Sequence, residues 1–161
     1  MADVVGWREW VSLPDWGVAR LRAKIDTGAR TSALHVENLE VLPGGLVSFD
    51  VVLDRRESPG TVRVTAAERV RTSTVKPSSG VRQRRHVVET TLKLGAVEKT
   101  IEISLVDRGE MLCRMLVGRT ALGGDFLVDP EHTYVVSKRK RKRKKRRRRP
   151  VKKTRARSQQ R

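Results

Sequence analysis

The sequence has only one cysteine, Cys113, among its 161 residues. A single cysteine excludes an intramolecular disulfide and a zinc site made of cysteines alone, which fits a protein of a reducing compartment. Apolar residues nowhere form an uninterrupted run near the ~20 that a membrane-spanning helix needs. The start of the chain lacks a basic segment followed by an apolar one, so it does not resemble a secretory signal. We therefore expect a soluble, cytoplasmic protein with no membrane partner.

Acidic residues are lacking in one part of the chain, residues 138–161, which contain 17 Lys and Arg side chains. The whole chain has 36 basic and 18 acidic residues, so the first 137 residues carry 19 basic and 18 acidic side chains. This contrast predicts a folded domain over 1–137 and a disordered polybasic tail over 138–161. Such a tail binds polyanions through counterion release. We expect RNA, the ribosome or another polyanion to bind through Lys138–Arg161.

Long helical patterns are lacking as well, and alternation of apolar and polar residues takes their place. Ile101, Ile103 and Leu105, for example, are separated by Glu102 and Ser104, which suits a half-buried strand. Many short runs of this kind, separated by Gly- and Pro-containing turns, predict an all-β sandwich or barrel. The runs are Trp7–Leu13, Val18–Ile25, Leu46–Leu53, Thr61–Thr65, His86–Leu94, Ile101–Val106, Met111–Val117 and Thr133–Val136.

Three segments depart from the strand pattern. Arg119–Leu122 and Thr31–Leu34 each suggest a helical turn. The polar segment Arg71–Arg85 contains Pro, Ser and Gly, so it suggests a long hairpin loop of the kind that often covers a binding cleft.

An Asp-Thr-Gly sequence at Asp26 directly follows an apolar run that ends at Ile25. By composition alone, such a tripeptide occurs by chance in roughly a few per cent of chains of this size, so in isolation it indicates a polar turn. A second apolar run, Met115–Val117, also ends in a glycine, Gly118, and is followed by Arg119. The position of the tripeptide directly after an apolar strand, in an all-β chain without other catalytic signatures, makes a catalytic centre a stronger alternative to a polar turn.

The chain resembles the retropepsin-like aspartic proteases in four features and in their order: the apolar strand, the Asp-Thr-Gly-Ala turn, the hairpin and the Gly-Arg pair. The chain is more similar still to a bacterial group often labelled putative ATP-dependent zinc proteases and associated with glutamate-ligating ATP-grasp enzymes. The resemblance covers about Gly6 to Ser137 and implies a closed β-barrel with one short helix after Gly-Arg. Its motifs lie in Gly6–Val11, Lys24–Leu34, Glu102–Arg108, Met111–Ala121 and Phe126–Pro130.

The resemblance implies an aspartic-type peptidase in which two chains pair as a homodimer and the two copies of Asp26 face each other. Like charges a few ångströms apart do not both ionise, so the pair shares one proton. The ionised member then takes a proton from water, which attacks the peptide carbonyl of a peptide or protein substrate. If one chain instead closed its own site, Asp107 or Asp129 could supply the second carboxylate.

The resemblance also implies which residues support and line the site. The active-site turn would be supported by Thr27, Gly28, Ala29, Gly118 and Arg119, although an exposed arginine at a helix start is an alternative interpretation of the last residue.

One position departs from the viral proteases, which carry an acid directly after Asp-Thr-Gly-Ala that pairs with the arginine of Gly-Arg. Arg30 occupies that position, so the ion pair cannot form. We hypothesise that Arg30, together with Thr31 and Ser32, binds substrate instead. Because guanidinium matches carboxylate geometry, this favours acidic or glutamate-rich peptide tails as substrates.

The zinc and ATP of the family label have no counterpart in the sequence. It contains neither His-Glu-x-x-His nor a Gly-rich phosphate loop, and its three histidines, His35, His86 and His132, lie far apart. His35 and Glu37 share a predicted strand face, but they are more simply polar residues of the surface or cleft, and Cys113 is more simply a small buried hydrophobe. We expect no metal and no cofactor. The alternative function is a non-catalytic β-domain binding protein that the tail tethers to RNA, the ribosome or DNA.

Overall fold

The computed structural model describes residues 1–53 and 60–137, and β-strands make up most of this part of the chain. The tail predicted over 138–161 lies outside the described residues. The described strands are β1 (Asp3–Gly6), β2 (Arg8–Leu13), β3 (Val18–Ile25), β4 (Ser32–Leu42), β5 (Leu46–Val52), β6 (Thr61–Val75), β7 (Gln83–Leu94), β8 (Val97–Val106), β9 (Met115–Val117) and β10 (Phe126–Asp129). They are joined by two short 3-10 turns, Pro14–Trp16 and Pro43–Gly45, and by one short helix, α1 (Arg119–Leu122).

Eight strands form one sheet in the order β2-β3-β9-β4-β5-β6-β7-β8, whereas β1 and β10 form a separate parallel pair. The sheet curls into a ring because β4 also pairs with β8, and β2 meets β7 at Ser12 and Lys93. Because the second contact is a single residue pair, the ring is less evenly closed than the expected barrel. The predicted all-β class is confirmed.

The core fills the inside of this ring. Its largest fully buried side chains include Leu34, Phe49, Ile103 and Met115. Phe49 packs edge-on against Trp16, with the ring centroids 5.3 Å apart. Burying each large apolar side chain contributes about 1.5–3 kcal/mol, so these inward positions hold the ring together.

Several predicted elements are wrong in type or extent. The predicted helical turn at Thr31–Leu34 is instead the beginning of β4, which pairs with β8 and β9. The predicted strand at Met111–Val117 is shortened to β9, since residues 112–114 form bends. Thr133–Val136 also consists of bends. Its amides bond to the backbone of β2, at the Arg8 carbonyl, and to the Glu9 side chain, so they do not form a strand ladder.

The segment Arg71–Arg85 is mostly strand rather than loop. β6 and β7 stay paired up to Val75 and Gln83, so only residues 76–82 connect them. An antiparallel hairpin satisfies its backbone hydrogen bonds whatever its side chains are, which explains why a polar segment forms strands here.

β9 determines where the chemistry-bearing turns lie. It runs parallel to β3, with Ile25 beside Val117, and antiparallel to β4. Since β3 and β9 end side by side, the turn that follows each one, at Asp26 and at Gly118, lies at the same edge of the sheet. None of the helices among the described residues has the length and apolar character of a membrane-spanning segment.

Candidate active site

Asp26 lies at the carboxyl end of β3, and its side chain is held by its own turn. Its backbone N–H donates to the Val117 carbonyl at 2.9 Å. Its Oδ1 accepts hydrogen bonds from the N–H groups of Gly28 at 3.0 Å and Ala29 at 3.2 Å. These two bonds fix the carboxylate orientation and leave Oδ2 without a hydrogen-bond partner among the described residues. The turn is open to solvent, since Thr27 and Gly28 are exposed.

Gly118 lies directly against this turn. A Cβ built on Gly118 would come within 2.6 Å of both the carbonyl carbon and oxygen of Thr31. Only a residue without a side chain therefore allows the two backbones to approach so closely. The Gly118 N–H donates to Oγ of Ser32 at 3.1 Å, and Ser32 is fully buried. The structure thus differs from our expectation for Ser32: its side chain supports the turn from inside and is not accessible to a substrate.

Arg119 binds the other side of the Asp26 turn. Its Nη1 donates to the carbonyl oxygens of Thr27 at 3.0 Å and Gly28 at 3.1 Å. Its backbone N–H donates to the Ala29 carbonyl at 2.9 Å. The guanidinium therefore has two backbone acceptors in place of the acidic partner found in viral retropepsins. Arg119 is exposed overall although its guanidinium contacts the turn, so the two interpretations of this residue do not exclude each other.

A groove of about 620 Å³ begins beside the turn, and Arg30 and Thr31 form one of its walls. Arg71 of β6 and Glu102 of β8 also line this groove and form an ion pair at 2.7 Å. Within residues 1–53 and 60–137, no carboxylate lies within ion-pair distance of Arg30. Glu102 therefore neutralises Arg71, whereas Arg30 has no acidic partner among the described residues of the groove. A carboxylate ligand would pair with Arg30.

His35 and Glu37 do not form a metal site together with other residues. His35 is fully buried, and its Nδ1 accepts a hydrogen bond from the Arg108 N–H at 2.9 Å. Its Nε2 lies 3.5 Å from Oε1 of Glu37. In the described ranges, no three His, Cys, Asp or Glu side chains cluster closely enough to hold a metal ion. Cys113 is buried, as expected.

Asp129 and Asp107, the two alternatives for a second carboxylate, are placed differently from each other. Asp129 accepts a hydrogen bond from the Glu131 N–H at 2.8 Å and bonds Nδ1 of His132 at 2.7 Å. These contacts hold the pKa of Asp129 below its usual range, with the Glu131 bond the larger cause. Asp129 therefore stabilises its own turn. Asp107 is exposed in a second groove, between the β6–β7 connection and the segment after β8.

Sequence reasoning missed Glu9, the carboxylate with the most hydrogen-bond donors in the described part of the chain. It is fully buried, and it accepts from the N–H groups of Gly6, Val135, Val136 and Ser137. A signal was present, because Glu9 falls on the same strand face as the buried Val11 and Leu13.

An all-β ring with an Asp-Thr-Gly turn braced by a Gly-Arg turn defines the class of retropepsin-like aspartic protease domains. A sequence profile of the RimB-like family, described as retropepsin-like aspartic endopeptidase RimB, matches residues 4–139, and the chain belongs to this family.

Curated relatives carry a different name. The chain is 36% identical over 142 residues to a probable alpha-L-glutamate ligase of Parasynechococcus marenigrum, covering 81% of this chain and 28% of that protein. A probable alpha-L-glutamate ligase of Shewanella pealeana is 30% identical over 139 residues, covering 84% of this chain and 30% of that protein. The chain thus spans less than a third of the length of these relatives. Their names agree with the expected association with glutamate ligation, but not with a zinc protease label.

A solved structure is similar over nearly its whole length. The crystal structure of a protein of unknown function from Legionella pneumophila is 28% identical, with a TM-score of 0.65. The match covers 84% of this chain and 99% of the Legionella chain.

Proposed function

We propose that this protein is an aspartic-type peptidase in which Asp26 is the catalytic residue. The observation that carries the proposal is the geometry of the Asp26 turn: Oδ1 is held by two amides, no described residue bonds Oδ2, and Arg30 at the end of the turn lines an open groove. An oriented carboxylate whose second oxygen has no hydrogen-bond partner in the described residues is suited to remove a proton from water. Arg119 keeps the turn in this shape by binding its two carbonyl oxygens.

The second carboxylate comes from a second copy of the chain. Exposure of Thr27 and Gly28 allows two Asp26 turns to approach across a twofold axis. Exposed apolar side chains support self-association on this side: Val4 and Leu127 occupy paired positions of β1 and β10. The segment after β1 reaches the base of the turn, because the Ile25 N–H donates to the Trp7 carbonyl at 2.9 Å.

In this dimer, the two Asp26 carboxyl groups share one proton and hold a water between them. The ionised group accepts a proton from the water as its oxygen attacks the peptide carbonyl carbon. The protonated group donates a hydrogen bond to the carbonyl oxygen and stabilises the charge that develops there. Breaking the C–N bond then returns a proton to the leaving amine and restores the shared-proton pair.

Acidic peptides, in particular glutamate-rich tails, are the substrate class that we propose. The support is Arg30, a cation without a carboxylate partner in the described part of the groove. The relatives named probable alpha-L-glutamate ligase give further support, since ligation of glutamate produces glutamate-rich products.

The test compares three forms of the chain on a glutamate-rich peptide and on a neutral peptide of equal length. Asp26→Asn should abolish cleavage of both peptides, since asparagine retains an oxygen for the two amide bonds but cannot accept the proton. Arg30→Glu should reduce cleavage of the acidic peptide at least about tenfold more than cleavage of the neutral one. Full activity of Asp26→Asn would contradict the peptidase proposal, whereas equal losses with Arg30→Glu would contradict only the substrate class.

A further inference from the structure

His35 attaches an exposed segment of the chain to the core. Its side chain is fully buried on β4, and Nδ1 accepts a hydrogen bond from the Arg108 N–H at 2.9 Å. Because Nδ1 is the acceptor, neutral His35 carries its proton on Nε2. This second nitrogen is buried as well, and it has no hydrogen-bond partner among the described residues. Oε1 of Glu37 lies 3.5 Å from it, within ion-pair distance.

The segment that His35 holds, residues 107–111, lines the second groove. This groove has a volume of about 640 Å³, and Pro77, Ser78 and Ser79 of the β6–β7 connection line it as well. Residues 107–110 are exposed, and a second hydrogen bond attaches them to the domain, from Nη1 of Arg114 to the Gly109 carbonyl at 3.2 Å. An exposed segment of this kind opens locally at a low cost in free energy. The bond to His35 therefore contributes much to its position.

We propose that His35 is a proton-dependent switch: uptake of a proton at Nδ1 releases residues 107–111 and opens this side of the second groove. A protonated Nδ1 is a donor, so it no longer accepts the Arg108 N–H, and two donors then face each other. An N–H group that loses its acceptor away from water is destabilised, and moving the segment into solvent relieves this. The change requires only a proton, and it is independent of the peptidase proposal.

The charged groups on the strands around His35 favour the protonated form. Glu37, on β4 itself, can form an ion pair with a positive imidazole through Nε2. The neighbouring strand β5 places Asp50 opposite Glu37, but this carboxylate is already paired with Arg63 at 3.4 Å. On the other side, β8 pairs with His35 at Val106, an uncharged residue. Glu37 is therefore the strand residue that stabilises the proton on His35.

The segments that follow β8 and precede β9 carry charges of both signs. The Arg114 carbonyl accepts the His35 N–H at 2.8 Å, so this arginine and Arg108 oppose a positive imidazole, whereas Asp107 favours it. Burial is the larger cause that lowers the pKa of Arg85 on β7, and the charge of Arg108 adds to it. Since these two cations repel each other, the repulsion moves Arg108 away from the hairpin once its bond to His35 is lost.

The experiment follows the Arg108 amide of the full chain by NMR hydrogen exchange between pH 7 and pH 5, the range in which histidine takes up a proton. Rates are corrected for the intrinsic exchange rate at each pH. Protection of the Arg108 amide should fall about tenfold or more as the resonances of the His35 ring report protonation. The amide of Ile103, on β8 between β4 and β7, should keep its protection and so exclude loosening of the whole domain.

Two variants test whether His35 causes the change. His35→Asn keeps a side-chain oxygen near the position of Nδ1 but takes up no proton, so protection of the Arg108 amide should not depend on pH in this range. Glu37→Gln removes the carboxylate beside Nε2, so the loss of protection should move to lower pH. Because the Glu37 side chain is half exposed, this variant keeps the test open if His35→Asn fails to fold.

Two controls should leave the native pH profile of the Arg108 amide unchanged. Glu40→Gln removes a carboxylate from the same strand, at an exposed position that pairs with Arg63. His86→Gln removes a second titrating histidine, on β7. Constant protection of the Arg108 amide from pH 7 to pH 5 would overturn the proposal. A loss that His35→Asn retains, or one that the Ile103 amide shares, would also overturn it.

Discussion

Arg119 donates a hydrogen bond to the carbonyl oxygen of Thr27, 92 positions away in the sequence, at 3.0 Å. The same Nη1 also reaches the Gly28 carbonyl at 3.1 Å. One cation thus holds two successive peptide carbonyls of the turn that carries Asp26. Because position 30 is an arginine rather than an acid, the backbone carbonyls of the turn accept the hydrogen bonds of the Arg119 guanidinium.

Replacing Arg119 by leucine should therefore loosen the turn more than it unfolds the protein. We expect kcat to fall about tenfold or more, because the orientation of Asp26 depends on these bonds, and the stability to fall by only about 1 kcal/mol, because the side chain is exposed. Peptide cleavage and thermal unfolding measure the two effects. Arg84→Leu, on the exposed part of β7, is the control and should leave kcat unchanged. An Arg119→Leu chain with native kcat would show that the turn keeps its shape unaided.

Gly118→Ala tests the close contact of the two turns. The new Cβ would meet the Thr31 backbone at 2.6 Å, so one of the turns must move. We expect a loss of at least about 2 kcal/mol in the free energy of unfolding, together with loss of activity. Gly109→Ala is the matched control, since nothing lies within 4 Å of its built Cβ. A native melting temperature for Gly118→Ala would contradict the packing described for these turns.

Glu9→Gln should release the end of the domain. Glutamine replaces one acceptor oxygen by an NH₂ group, so the amides of either Val135 or Ser137 lose their partner in a buried position. We expect the variant to lose about 1–3 kcal/mol of stability and its 135–137 amides to exchange faster with solvent hydrogen. Glu89→Gln, at an exposed position of β7, provides the comparison. Unchanged amide exchange at 135–137 would mean that other contacts hold this segment.

His86 should make the domain less stable in mild acid. Burial is the main cause that lowers the pKa of His86 in the folded state, and the charges of Arg69 and Arg84 add to it. Below about pH 6.5 the unfolded chain therefore binds a proton that the folded chain resists, and stability falls as pH drops through this range. His86→Gln removes this contribution while keeping an acceptor for Arg69. We predict a smaller difference in melting temperature between pH 7 and pH 5 for the variant. An equal difference would contradict a contribution of His86, and a larger one would contradict its sign.

The sequence predicted some elements of the fold to the residue and missed others for a physical reason. β3 and α1 match the predicted bounds, because Gly17 and Asp26 limit the first and Gly118 and Gly123 limit the second. β4 was predicted as a strand only around His35 and Glu37, because it changes partners along its length. Its first residues are buried on both faces between β8 and β9, and its last ones pair only with β5. No single alternation of apolar and polar residues describes such a strand.

The candidate site was predictable in part. Asp26, Gly118 and Arg119 could be identified because apolar runs ended next to them. The role of Ser32 was not predictable, since a buried serine that accepts a backbone N–H looks in sequence like any polar residue near a turn. His35 and Arg108 were not linked at all, because their contact depends on the β4–β8 register.

The most direct test of the central claim, that two Asp26 carboxylates act together across a dimer, is cleavage of a glutamate-rich peptide by mixed chains. The native chain is kept at constant concentration, and Asp26→Asn chain is added up to a tenfold excess with time for subunits to exchange. Random pairing leaves about one native partner in eleven, so the account predicts that activity falls to about one tenth. Activity that stays constant through the titration would show that each chain cleaves alone, which contradicts the shared site.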